Sequence, residues 1–176
     1  MGGTTLRGDC QRCAALCCVG LAFDRGPLFA QDKPAGTPCP HLSARGGCNI
    51  HPQRALRGFS GCIGYDCLGA GQRVTQELFQ GRSWRDEPHL LPSMLDAFRV
   101  LRQVHELRLL LQTAAKLPLL PPERQCLDTL AAKLEPVGGW TRKSLTAFEQ
   151  GTLPDDVATF LRSLARTARR ALKLVP

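Results

Sequence analysis

Eight of the nine cysteines fall between Cys10 and Cys67, in the pattern Cys10-x2-Cys13-x3-Cys17-Cys18, Cys39, Cys48, Cys62-x4-Cys67. The rest of the chain holds only Cys126. The segment carrying them is broken by glycine and proline: Asp24-Arg25-Gly26-Pro27, Lys33-Pro34-Ala35-Gly36 and Pro38-Cys39-Pro40 are all turn signals. A stretch this poor in periodic apolar residues has little core of its own and needs cross-links or metal to fold. The thiol spacing points to metal. A Cys-x2-Cys turn presents two thiolates to one ion, and a soft cation such as Zn2+, or an iron–sulfur cluster, displaces their protons.

Disulfides are the competing use of so many thiols, and they need an oxidising compartment. Residues 14–23 are apolar but contain Cys17, Cys18 and Gly20 and lack a small-residue cleavage site, so they do not read as an export signal. An odd number of cysteines also fits full pairing badly. The expected metal ligands are therefore Cys10, Cys13, Cys17, Cys18, Cys39, Cys48, Cys62 and Cys67, in the cytoplasm. Neighbouring side chains diverge, so Cys17 and Cys18 do not readily share one mononuclear ion. The gap from Cys13 to Cys17 suits a helical turn within residues 10–19, which makes Cys17 the expected inner ligand. Eight thiols suffice for two four-thiolate sites, or for one such site with spares. His41 and His51 stand close to cysteines and read as partly exposed rings or supporting hydrogen-bond donors, with direct ligation of the metal as the alternative. His89 and His105 read as structural, and Cys126 as a small core residue. Phe23, Leu28 and Phe29 are candidates to shield the site from water.

Beyond Gly71 the pattern becomes helical, and no strand signal competes. Helices are expected over 72–80, 92–117, 121–135 and 140–150, with a last one opening at Pro154-Asp155-Asp156. Met94, Ala97, Phe98, Leu101, Val104, Leu107 and Leu111 form one apolar stripe; Val157, Phe160, Leu161, Leu164, Ala168, Leu172 and Val175 form another. The expected fold is mainly α: an irregular, metal-bound segment over 1–71 packed on a helical bundle over 72–176. The chain carries a formal charge of +8, an excess that metal-bound thiolates would reduce. Arg162, Arg166, Arg169, Arg170 and Lys173 put positive charge on the last helix, which reads first as a solvated face and alternatively as one for an acidic protein partner. The absence of interleaved aromatics there argues against nucleic acid. No apolar run is long enough to cross a membrane.

The cysteine run Cys10 to Cys18, followed by Cys39-Pro40-His41-Leu42, Cys48-Asn49-Ile50-His51 and a closing Cys62, resembles the CxxCxxCC (YkgJ-type) zinc- or iron-chelating domain family. One extra residue separates Cys13 from Cys17, Gly58-Phe59 stands where that family has Arg-Pro, and Cys67 is additional. Gly58-Phe59-Ser60-Gly61-Cys62, the run from Tyr65 to Val74, and the run from Gly81 to Asp86 resemble more closely the N-terminal region of actinobacterial proteins labelled pentapeptide-repeat proteins, without the repeats. The resemblance implies metal binding. Three function classes follow: a structural or chelating metal module, an Fe–S or thiol redox sensor, and a metal-dependent accessory to a modifying enzyme. No catalytic motif is present: there is no phosphate loop, no Gly-x-Ser-x-Gly and no His-Glu-x-x-His, and Gly69-Ala70-Gly71 lacks the preceding strand of a dinucleotide fingerprint.

Overall fold

The computed structural model describes residues 5–165, 167 and 169. Among them the fold is helical, with seven α-helices and no strand. Two compact units divide the chain, Met1–Arg102 and Gln103–Pro176. No described helix is long and apolar enough to cross a membrane.

The first unit holds the Cys-rich segment. A 3-10 turn (Cys10–Arg12) precedes α1 (Leu16–Gly20), and two isolated bridges follow, Phe23 with Lys33 and Leu42 with Cys48. After a second 3-10 turn (His51–Gln53) come α2 (Gly61–Gly64) and α3 (Ala70–Arg73). The expected helix over 72–80 is α3 running into a π turn at Val74–Leu78, closed where Gln80 and Gly81 take positive φ. Its core is Leu16, Val19, Val74, Met94 and Leu101, all essentially inaccessible. The irregular segment thus completes its core with α3 and the first turns of α4 (Leu91–Ala114).

The second unit contains the later turns of α4, with α5 (Pro121–Lys133), α6 (Arg142–Gln150) and α7 (Leu153–Ser163). Local chemistry sets these boundaries. Prolines open α5 and α7, where a missing N–H costs nothing. Thr141 and Ser144 cap α6 reciprocally, with hydrogen bonds of 3.1 and 2.9 Å. Asp155 and Asp156 occupy the positive end of α7. Val104, Leu111, Leu127, Leu134, Phe148, Val157, Phe160 and Leu164 are buried, while Leu107 and Leu161, expected in the core, are only half-buried. Position 108 explains part of this. Arg108 is buried and reaches Glu135 at 2.5 Å, so the stripe on α4 accommodates an ion pair. His105 is fully buried on the same helix, as its structural reading requires. Ala168, Leu172 and Val175, and the basic positions Arg166, Arg170 and Lys173, lie outside the described residues; Arg162 and Arg169 are exposed.

Candidate metal centre

All nine cysteines are free thiols. The eight expected ligands lie in the first unit, and Cys126 lies in the second. Cys126 is exposed on α5 and is not the core residue its neighbours suggested: Leu127 and Leu130 take the buried face instead.

Hydrogen bonds between distant side chains and the local backbone position the segment that carries the first cysteines. The segment before α1 is fastened along α3 and the π turn. Asp9 N–H donates to Gln72 Oε1 (3.0 Å), Gln72 Nε2 to the Arg7 carbonyl (2.8 Å), Ala14 N–H to Thr75 Oγ1 (3.0 Å) and Gln76 Nε2 to the Arg12 carbonyl (2.8 Å). Trp84 Nε1 donates to the Ala14 carbonyl at 2.7 Å. These bonds place Cys10 and Cys13 against α3. The Cys13 sulfur lies so near Gly71 that a β-carbon there would sit 2.6 Å from it, and the Cys67 sulfur lies 3.4 Å from a β-carbon built on Gly8. Cys13 and Cys17 do not share a helical turn, contrary to the spacing argument. Cys13 is extended and Ala15 is left-handed, at φ 58°. That conformation is costly for a residue with a β-carbon. Here it aims the Ala15 and Leu16 amides at the Cys13 sulfur.

The later cysteines are tied together separately. Cys39 N–H donates to the Cys18 carbonyl (3.0 Å), Leu42 pairs with Cys48, and Asn49 N–H donates to the His41 carbonyl (2.8 Å). Arg54 bridges from the His51 carbonyl (2.9 Å) to the Cys62 carbonyl (3.1 Å). The His41 amide reaches the Cys39 sulfur, while its ring stands edge-on to Phe59, centroids 4.9 Å apart. Phe59 in turn meets Phe23 and Phe29, which stack at 4.2 Å. Leu28, expected to help shield the site, is 57% exposed; Phe59 takes that place at 3%. A cleft of about 840 Å³, bordered by Cys10, Cys13, Cys48, His51 and Arg85 among others, opens beside these thiols.

Burial governs the thiols' acidity. It pushes Cys13 up to about 11 and raises Cys10, Cys39 and Cys62. The vicinal sulfurs of Cys17 and Cys18 stand 4.0 Å apart. Cys17 keeps its proton, raised first by that contact and then by burial. Cys18 is pulled down to about 7, first by the same contact, with burial opposing and Lys33, Arg54 and Arg85 assisting. The sequence reading passed over these cations. Lys33 was legible only as a turn residue, yet it is 3% exposed and its Nζ donates to the carbonyls of Val19 (2.9 Å), Pro34 (3.1 Å) and Thr37 (2.8 Å). Buried ammonium groups need such partners, and this one faces the thiols.

Among the described residues no three His, Cys, Asp or Glu side chains already stand arranged to hold one ion. The donor types nevertheless suit a soft cation: eight thiols in one unit, amides directed at the sulfurs of Cys13 and Cys39, and cations beside Cys18.

Among curated proteins, the chain is similar to the uncharacterized protein YybG of Bacillus subtilis (strain 168). The two are 39% identical over 130 residues, which cover 74% of this chain and 47% of that protein. The chain therefore spans about half the length of this relative. No family model matches the chain, and no solved structure matches it.

Proposed function

We propose that the chain is a thiolate-ligated metal-binding module, taking Zn2+ or iron through Cys10, Cys13, Cys17, Cys18, Cys39, Cys48, Cys62 and Cys67, in the reducing cytoplasm. The observation that carries this reading is that all eight thiols fall in one unit, with backbone amides aimed at two of the sulfurs. Thiols half-buried beside one another resist ionisation, as the raised Cys10, Cys13, Cys39 and Cys62 illustrate. A bound cation reverses that balance by replacing protons with metal–sulfur bonds. The motif resemblance to the CxxCxxCC zinc- or iron-chelating domains supports the same reading. The role is structural or chelating, with the exposed Arg162 and Arg169 on a face that suits an acidic protein partner. The test is elemental analysis of protein purified without oxygen: zinc or iron retained through gel filtration agrees, and metal-free protein with all eight thiols reactive contradicts it.

A second reading, thiol redox sensing, is favoured by one observation, the Cys17–Cys18 contact with Cys18 lowered to about 7. A thiolate at neutral pH is the reactive form. Substoichiometric peroxide acting on protein that holds no metal would oxidise Cys18 first under this reading.

A further inference from the structure

We infer that the cleft beside the first cysteines is a binding site for a small organic anion bearing phosphate or carboxylate groups, held by Arg12, Arg45 and Arg85. The inference goes beyond the metal-binding reading and does not rest on it, since none of the three arginines is among the proposed ligands.

The cleft, of about 840 Å³, lies wholly within the first unit. Sites that take small molecules usually span roughly 300–1,000 Å³. Three stretches of chain wall it. The first 3-10 turn brings Arg12, the loop from Ser43 to His51 brings Arg45, and the turn after the π turn brings Arg85. Against these guanidiniums the lining sets one carboxylate, Asp86. Arg73, Arg82 and Arg108 each pair with a glutamate, but Arg12, Arg45 and Arg85 make no ion pair among the described residues. A concave wall carrying unpaired charge of one sign concentrates ions of the other.

Arg85 is built into the wall. It is half-buried, and its guanidinium lies 5.8 Å from the centroid of Trp84, which is itself tied to the Ala14 carbonyl. Arg85 Nη2 donates to the Ser43 carbonyl. A β-carbon on Gly46 would sit 2.5 Å from Nη1, and Gly46 has φ 92°, so glycine there lets the loop close over the guanidinium. Arg85 Nε and Nη1 have no hydrogen-bond partner among the described residues, which leaves most of its donors to an oxyanion. Ser43 and Ser83 line the same cleft. Their hydroxyls accept the N–H groups of Gly47 (3.1 Å) and Arg85 (3.2 Å) and keep their own protons to give. Guanidinium and hydroxyl donors together match phosphate or carboxylate oxygens. A nucleic acid strand fits less well, because the lining holds no Phe, Tyr or Trp on which a base could stack.

The test is isothermal titration calorimetry of the purified full chain with succinate and with ribose 5-phosphate at low ionic strength, with metal content measured before and after. At least one probe should bind saturably, and the tighter of the two distinguishes a carboxylate from a phosphate ligand. Both present hard oxygen donors that compete poorly for a thiolate-bound soft cation. Arg12 and Arg45 are exposed and their side chains make no hydrogen bond among the described residues, so neither is needed for folding. Arg12→Ala and Arg45→Ala should each weaken binding roughly 5- to 20-fold, the effect of losing one charge-assisted hydrogen bond. Asp86→Asn removes the opposing carboxylate and should tighten binding. Arg57→Ala, exposed in the same unit but outside the lining, should leave it unchanged. No binding of either probe up to ~10 mM, an equal loss in Arg57→Ala, or weaker binding in Asp86→Asn would overturn the site. Arginine-dependent binding by a chain that holds no metal would uphold this site and contradict the thiolate reading; metal retained without anion binding would do the reverse.

Discussion

Replacing Gly71 by alanine puts the packing around Cys13 to a quantitative test. Gly71 is buried in α3, and the added β-carbon would sit 2.6 Å from the Cys13 sulfur and 3.7 Å from Phe98 Cε2. Nonbonded carbon contacts are comfortable at roughly 3.5–4.0 Å, so the sulfur must retreat by about 1 Å. Overpacking of this kind costs about 1–3 kcal/mol, and the helical gain of alanine over glycine returns about 1 kcal/mol. In metal-free protein the thiol is able to rotate away, and the two effects should nearly cancel, leaving urea stability within ~1 kcal/mol of wild type. With metal bound, Cys13 is fixed as a ligand and the clash falls on the metal–sulfur bond. Zinc affinity, read by competition with a chromophoric chelator, should then drop roughly 5- to 150-fold, the equivalent of ~1–3 kcal/mol. Gly64→Ala is the control, since nothing lies within 4 Å of a β-carbon there. Unchanged zinc affinity in Gly71→Ala, or an equal loss in Gly64→Ala, would show that Gly71 does not constrain Cys13 as a ligand.

Three other outcomes are expected. Phe160→Ala should cost ~3–5 kcal/mol in urea unfolding because the ring is 7% exposed in the second unit; a loss well under ~1 kcal/mol would contradict that burial. Lys33→Met strips the Val19, Pro34 and Thr37 carbonyls of their shared donor and should destabilise the first unit by at least ~2 kcal/mol, with unaltered stability as the opposing result. In reduced, metal-free protein, alkylation of Cys18 should rise with a midpoint of about 7 and that of Cys13 with one of about 11, followed by mass spectrometry across pH; a common midpoint for the two would contradict their separate environments. The same shifts act oppositely on stability. The lowered Cys18 favours the fold above its ordinary value of 9.0, and that contribution is lost as pH falls through about 7; the raised Cys13 favours it below 9.0, and that contribution is lost as pH rises through about 11.

The helices were legible because their signals are local. The prolines opening α5 and α7, the Thr141–Ser144 cap and the stripe from Met94 to Leu111 all act within a few residues. Leu107 and Leu161 were misplaced because an apolar stripe does not reveal where Arg108 turns inward to meet Glu135, nor how far each edge of a helix is covered. In the Cys-rich segment the residue types pointed to the chemistry, but the path between them was hidden. The left-handed Ala15 that breaks the Cys13–Cys17 turn follows from no propensity of alanine. The hydrogen bonds of Gln72, Thr75 and Gln76 to Asp9, Ala14 and Arg12, beside the first cysteines, span more than sixty residues of sequence, and the close approach of Gly71 to Cys13 spans nearly as many. Lys33 and Phe59 were obscured for the same reason: their roles depend on loops that fold back. Burial on α5 depends on a one-residue choice between Cys126 and Leu127 that helical periodicity alone does not resolve.

X-ray absorption at the metal edge, on protein purified without oxygen, tests thiolate ligation most directly. A shell of about four sulfur neighbours at ~2.3 Å, the metal–sulfur distance of thiolate sites, is the expected result. A shell made mainly of nitrogen and oxygen, or an edge too weak for one bound metal per chain, would contradict it.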